Sequence, residues 1–313
     1  MTDTQRNKYE RLIAAVAALP PTPTAVAHPC SGTALEGAID AAKMGIIEPI
    51  LVGPRHRIEA IAAEKKLDIS GYELVDSEHS EDSAAKAVAL VREGRAEMLM
   101  KGSLHTDELL SAVVRRDTGL RTGRRLSHCF VMDVPNHPKV LVITDAAINI
   151  FPTLEEKVDI VQNAIELAHA LKIEQPKVAI LSAMETVNPK LQTTVEAAAL
   201  CKMADRGQIT GALLDGPLAL DNAISEEAAK IKGIASPVAG DADILVTPDL
   251  EAGNMLAKSL GFLMDADSAG IVLGARVPII LTSRADSVQS RLASCAVATL
   301  VAHHRKVAAP VAA

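Results

Sequence analysis

Five short segments of this chain combine glycine, hydroxyl and charged side chains in a way that suits anion chemistry. They are His28-Pro29-Cys30-Ser31-Gly32-Thr33, Lys101-Gly102-Ser103-Leu104-His105-Thr106, Thr144-Asp145-Ala146-Ala147-Ile148-Asn149, Asp215-Gly216-Pro217 and Thr282-Ser283-Arg284-Ala285-Asp286-Ser287. Small residues and hydroxyls between a strand and a helix leave backbone N–H groups free at the helix N-terminus, a geometry that holds phosphate. Arg284 adds a planar guanidinium able to take phosphate oxygens in two places, and Ser283 beside it supplies a hydroxyl. Helix capping alone accounts for Ser, Thr, Asp and Gly in any one such segment. Their recurrence at predicted strand ends is what favours a ligand site.

Such loops have to be carried by alternating strands and helices, and the chain supplies them. The apolar spacing predicts helices over 7–19, 33–44, 55–66 and 81–93, with strands over 24–28, 48–52, 73–75 and 98–101 between and after them. Pro20 to Pro23 end the first helix, and Ser31 or Thr33 caps the second. This βαβ rhythm implies a largely parallel sheet. The short Pro-containing turn between predicted strands 126–133 and 139–144 implies an antiparallel pair, and so a mixed sheet. Further helices are expected over 153–171, 189–204, 225–232, 251–263 and 286–302. The strands expected among them are 178–182, 211–214 and 244–246, with apolar runs at 269–273 and 277–281. The last seven residues read as a frayed tail. Changes of pattern near 121–126 and near 270 mark candidate domain joints. In open α/β sheets ligands bind beyond the carboxyl ends of the strands, where the five segments fall.

Composition narrows the chemistry. The 313 residues are 49% apolar but only 2% aromatic, with no Trp, so the core must be close-packed Ala, Val, Ile and Leu. A net charge of -7, with both signs dispersed, gives no basic stripe for nucleic acid and no polybasic membrane segment. The four cysteines, Cys30, Cys129, Cys201 and Cys295, form no CxxC pair and read as buried small hydrophobes in a reducing compartment. No signal peptide and no spanning apolar run are visible, which makes a soluble, cytoplasmic protein the expectation. GxGxxG after the first strand, GxxxxGK[ST] and GxSxG are all absent, which argues against dinucleotide, P-loop and α/β-hydrolase sites. His303-His304 reads as a surface pair rather than a metal site, His79 as part of a solvated acidic turn, and His169 as a packed or surface residue.

Nearly the whole chain resembles the phosphate acetyltransferase/phosphate butyryltransferase family. The resemblance rests on ILVG at 50–53, KGSLHT at 101–106, ITDAAIN at 143–149, VAILSAMETVNPK at 178–190 and LDGPLALDNAIS at 214–225. It continues through ADILVTPDLEAGNMLAKSL at 242–260 and AGIVLGARVPIILTSRADS at 269–287. It implies a two-domain α/β/α sandwich with mixed, mostly parallel sheets, similar to isocitrate and isopropylmalate dehydrogenases. Domain I would comprise 1–124 plus 271–313 and domain II, inserted, 125–270, with the active-site cleft between them. Dimers or larger homo-oligomers are implied too.

The implied reaction is reversible transfer of a short acyl group, acetyl first and butyryl second, between coenzyme A and inorganic phosphate. A thiolate attacks the acyl phosphate directly in a ternary complex, with no bound cofactor and no required metal. Acyl-CoA, phosphate and acyl phosphate would be the partners, with no nucleic acid and no membrane. By resemblance Ser283 and Arg284 match the family's Ser-Arg pair, Ser283 serving the oxyanion or thioester carbonyl and Arg284 the phosphate or phosphoadenosine. Lys101, Ser103, His105, Thr106, Asp145, Asn149 and Arg124 are the implied substrate-binding candidates.

Two positions depart from the family pattern. The acetyl-type carboxylate that takes the thiol proton is matched by Ser290, which leaves Asp286, another group or water for that task. The acetyl-type phosphate Arg is matched by Ser111, with Arg115, Arg116, Arg121 and Arg124 nearby. A non-catalytic acyl-CoA-sensing domain of the same fold is the alternative of another class. An isocitrate-type oxidoreductase would need metal-binding carboxylates and a nicotinamide loop, which are not found.

Overall fold

The computed structural model describes residues 7–283 and 286–308. Helices and strands alternate from α1 (Asn7–Ala17) through β1 (Thr22–Ala27), α2 (Gly32–Lys43), β2 (Ile47–Gly53), α3 (Arg55–Lys65), β3 (Glu73–Asp76), α4 (Ser80–Arg92) and β4 (Met98–Lys101) to α5 (Thr106–Val113). A second series follows: β5 (Ser127–Asp133), β6 (Leu141–Thr144), α6 (Leu154–Ala170), β7 (Lys177–Leu181), α7 (Gln192–Asp205), β8 (Leu213–Leu218), α8 (Leu220–Ile224), α9 (Glu226–Ile231), β9 (Ile244–Val246) and α10 (Leu250–Leu263). The chain closes with β10 (Asp267–Leu273), β11 (Ile279–Ile280) and α11 (Val288–Ala308). Two compact units result, one of residues up to Arg124 and from Ala269 on, the other Arg125–Ser268.

In the first unit the strands run β3-β2-β1-β4-β11-β10, all parallel except the β10/β11 pair. Because β1, β4 and β11 are parallel neighbours, the loops that leave them emerge at the same end of the sheet. Beneath them lies α11, whose residues 290–302 are buried without a break. A helix can be buried on every side only if its residues pack closely, and Ala293, Ser294, Cys295, Ala296, Ala298 and Ala302 are small enough. It packs on α1 and α2.

The second unit orders its strands β5-β6-β9-β7-β8, with only the β5/β6 pair antiparallel, as the short Pro-containing turn requires. Its core gathers Met132, Leu141, Ile143, Leu181, Leu218, Val238 and Leu245, with Leu256 and Leu260 of α10 packed against it. Lys139 and Lys177 bridge Asp241 and Asp243 where β6, β9 and β7 begin, fixing the register there.

Several sequence expectations change. Asp215-Gly216-Pro217 is not a loop but the middle of β8, which continues to Leu218 past a register shift against β7. A short α8 precedes α9, and α11 runs to Ala308, so the start of the expected frayed tail is helical. Cys201 is half-buried rather than buried, while the other three cysteines are buried. His303 and His304 are half-buried on α11 rather than exposed. His79 caps α4, its Nδ1 accepting the Asp82 N–H, and the His169 ring bonds the Gly211 carbonyl.

Candidate functional site

At the carboxyl end of β11 the chain turns sharply. Asp286 Oδ2 accepts the Ser283 N–H at 2.6 Å, and Asp286 N–H donates back to Ser283 O at 3.3 Å. The next helix starts at once: Ser287 Oγ accepts the Ser290 N–H at 3.0 Å, as an N-cap does. Ser283 is exposed at the tip, whereas Thr282 is buried behind it. Arg284 lies outside the described residues, so the sequence-derived role for it rests on its motif alone.

A buried guanidinium holds this turn. Arg291, one turn into α11, donates Nη2–H to Ser283 O at 2.9 Å and Nη1–H to Thr282 Oγ1 at 3.3 Å. Burial pushes the Asp286 carboxyl above its usual range, and the Ser283 N–H, then Arg291 and Lys101, partly offset that. So Asp286, Arg291 and Lys101 share one electrostatic neighbourhood. Ser290, at the position of the missing carboxylate, is buried and bonded to Ser287 Oγ at 3.1 Å. It supplies no base.

Lys101 ends β4 almost fully buried. The following turn is pressed against β1: Gly102 N–H donates to Ala27 O, and Ser103 bonds His28 O through both N–H and Oγ, at 2.8 and 2.9 Å. Only glycine fits at 102, because a Cβ there would stand 2.4 Å from both Ala27 O and His28 O. His105 and Thr106 open α5, where Glu108 Oε2 accepts the His105 N–H at 2.7 Å. Ser103 and Thr106 are thus placed by backbone geometry beside Lys101.

His28 belongs to the same wall. His28 Nδ1 lies 2.9 Å from Ser83 Oγ, which also contacts His79 O at 2.8 Å and Ser77 Oγ at 2.7 Å. Burial first, and Arg57 next, lower the pKa of His28 despite Glu108 nearby.

Asp145 and Asn149 form a separate cluster in the second unit. Asp145 Oδ1 accepts the N–H groups of Ala147 and Ile148, while Oδ2 accepts those of His128 and Asn149 and the Asn149 side-chain amide at 2.5 Å. Asn149 Oδ1 in turn accepts Arg125 Nε–H at 2.7 Å, and Arg125 pairs with Glu156 at 2.7 Å. Both Asp145 and Asn149 are buried. Gly253 lets the start of α10 lie on this loop, since a Cβ there would meet Asp145 O at 2.4 Å. The carboxylate is fully engaged in shaping the loop, and Arg125 is the cation it presents.

Of the sequence-derived residues, the structure brings Ser283, Asp286 and Lys101 together, with Ser103, His105 and Thr106 on the adjoining loop. Arg124 lies on an exposed turn, where its N–H donates to Thr122 Oγ1 at 3.0 Å. Arg291 and Arg125 went unnoticed in the sequence. Arg291 had a visible signal, a cation at the head of a run of small and apolar residues over 292–302. Burial pushes the thiols of Cys129, Cys201 and Cys295 up to about 12, which removes them as nucleophiles. Among the described residues no cluster of three His, Cys, Asp or Glu side chains could hold a metal.

Comparison with known proteins gives one consistent answer. The family model described as phosphate acetyl/butaryl transferase matches residues 78–299. A phosphate acetyltransferase of Rhizobium meliloti is 67% identical over 304 residues, covering 97% of this chain and 96% of that protein. A phosphate butyryltransferase of Clostridium acetobutylicum is 46% identical over 271 residues, covering 87% and 90%. Among solved structures, a branched-chain phosphotransacylase from Enterococcus faecalis V583 superposes with a TM-score of 0.79 at 34% identity, covering 90% of this chain and 99% of that one.

Proposed function

Because this chain belongs to the phosphate acetyl/butyryltransferase family, we propose that it moves an acetyl group, and less readily a butyryl group, between coenzyme A and inorganic phosphate. It is an acyltransferase with the mixed, mostly parallel, dehydrogenase-like fold of the phosphotransacylases. The named relatives are enzymes, so the non-catalytic sensing reading is dropped. The order of acyl groups follows the higher identity to the phosphate acetyltransferase.

The observation that carries the mechanism is the Ser283–Asp286 turn braced by Arg291 beside Lys101. A carboxyl whose pKa is raised by burial is a better proton acceptor than an ordinary one. In the acyl-phosphate-consuming direction, Asp286 takes the proton of the coenzyme A thiol. The sulfur then forms a bond to the acyl carbon, the carbon–oxygen bond to phosphate breaks, and phosphate leaves with that electron pair. Ser283 Oγ–H donates to the oxyanion that forms on the carbonyl. Arg284 and Lys101 hold the phosphate oxygens, with the Thr106 hydroxyl as a further donor, while Ser103 positions the loop through its two bonds to His28 O. Asp145 and Asn149 act by positioning their loop and Arg125. The free cysteines fit the cytoplasm as its compartment, and no helix of the described residues is long and apolar enough to cross a membrane.

The test is phosphate-dependent release of free thiol from acetyl-CoA and butyryl-CoA by the purified protein. The expected result is release from both, with the larger kcat/KM for acetyl-CoA. No release from either substrate would overturn the reading.

A further inference from the structure

Helices α4 and α5 run side by side in the first unit, tied at their N-terminal ends where Ser80 Oγ donates to Glu108 Oε1 at 2.6 Å. Towards their C-terminal ends they part around a groove of about 510 Å³. Its floor is Ala85, Val88 and Ala89 on one face of α4, with Ala112 of α5 opposite. Three of these four are alanines, so the helices pack closely and still leave the space that larger side chains would fill. Small-molecule sites span roughly 300–1,000 Å³ and join an apolar lining to a few convergent polar groups.

The polar groups stand at one end. Arg92 closes α4, and Arg115 and Thr118 follow the last turn of α5. Arg92 Nη1–H donates to Asp117 O at 2.6 Å, which holds its guanidinium at the mouth of the groove. Among the described residues neither Arg92 nor Arg115 pairs with a carboxylate. The acid on the rim, Glu93, lies 3.9 Å from Arg95, which partly offsets its charge. Ala89 O, Leu90 O and Val91 O accept N–H groups from residues 93–96, which weakens the repulsion that a helix C-terminus offers an anion.

We propose that this groove binds a free aliphatic carboxylate of about eight carbons, a ligand distinct from the substrates of the transfer reaction. Its carboxylate lies between Arg92, Arg115 and the Thr118 hydroxyl, and its chain lies along Ala85, Val88 and Ala89. The length follows from the helix. From Ala85 to Arg92 a rise of 1.5 Å per residue makes about 10 Å, the reach of an extended chain of about eight carbons with bonds of ~1.5 Å. One cationic end and one apolar floor suit a monoanion with an alkyl tail. Inorganic phosphate has nothing to lay on the alanines, and the far end of a dicarboxylate would be desolvated there without a donor.

The experiment is isothermal titration calorimetry of sodium octanoate into the full chain in phosphate-free buffer, with circular dichroism to check the fold of each variant. Saturable binding at one site per chain is expected. It should persist with coenzyme A at saturation, because no residue of the groove belongs to the proposed catalytic turn or to the Lys101 loop. Butyrate, shorter by four methylenes, should bind about tenfold more weakly or worse. So should octanamide, which keeps the chain and lacks the charge. Arg92→Gln should weaken octanoate about tenfold, and Ala89→Leu, which fills the floor, should abolish its binding. No saturable binding by the wild type, or its loss when coenzyme A is present, overturns the site. Unchanged affinity in either folded variant places octanoate elsewhere and overturns it too. Octanamide binding as tightly as octanoate overturns the role of the two arginines.

Discussion

Asp286 reaches back three residues to accept the Ser283 N–H at 2.6 Å. The side chain proposed as proton acceptor therefore also shapes the turn that carries the proposed catalytic serine. One carboxylate links the two tasks.

Asp286→Asn keeps an oxygen that can accept the Ser283 N–H but cannot take a proton from a thiol. We expect turnover to fall by about 10²-fold or more. Stability should move the other way. Burial raises the folded pKa of Asp286, so the folded state holds the proton more tightly than the unfolded state. The contribution of this group is thus fully present below the unfolded pKa and is lost as pH rises towards the folded one. At neutral pH the ionised carboxylate is a burden that Asn removes, and Tm should be equal to or above wild type. Wild-type turnover in the purified variant would remove Asp286 from the mechanism.

Ser283→Ala and Arg284→Ala should each lower turnover by about 10²–10³-fold, the range for losing one transition-state donor. Ser283 is exposed at the tip of its turn, so its variant should melt as the wild type does. Unchanged rates in both would sink the assignment.

Arg291→Lys tests the brace. A single ammonium cannot span Thr282 Oγ1 and Ser283 O as the planar guanidinium does. The expected outcome is a lower kcat with KM little changed, and a loss of stability of about 2–3 kcal/mol in urea titration, typical for a buried charged hydrogen-bond network. Full activity in this variant would show that the turn holds itself.

Asp145→Ala leaves several N–H donors of the loop, some of them buried, without an acceptor. A cost of about 2–4 kcal/mol is expected on that ground, read as a fall in Tm. A Tm within error of wild type would contradict the structural role of this carboxylate.

His128 supplies a pH signature. Its ring lies buried beside Phe130 with neither nitrogen hydrogen-bonded, and burial lowers its pKa from 6.5 to about 4, with Asp145 opposing that. The folded state binds the proton more weakly, so stability falls as pH drops from the unfolded value towards the folded one. The loss is limited to about 3 kcal/mol by the size of the shift. In urea titrations from pH 7 to 4, His128→Leu should show a flatter decline than wild type. Parallel declines would refute it.

Much of the fold was legible because its signals are local. Alternating 4–7-residue apolar runs with helical spacing announces strands and helices wherever the chain goes, and the five polar segments stood out by composition. Ser283, Asp286 and Lys101 were readable in this way. Asp215-Gly216-Pro217 misled for the same reason: turn-forming residues in β8 carry no mark of the neighbour β7 that keeps them in a strand.

What the sequence by itself determined is the order of elements, the mixed sheet implied by the Pro-containing turn, and which residue types stand at strand ends. Tertiary structure alone decided that Arg291 of α11 turns back to hold Thr282 and Ser283, and that Asp145 spends its oxygens on its own loop. It alone decided that two of three Phe face outwards. The physical reason is common to all three. Hydrophobic periodicity records whether a residue faces a core, whereas hydrogen-bond partners and exposed strips depend on where distant segments meet, and nothing in the local pattern encodes that meeting.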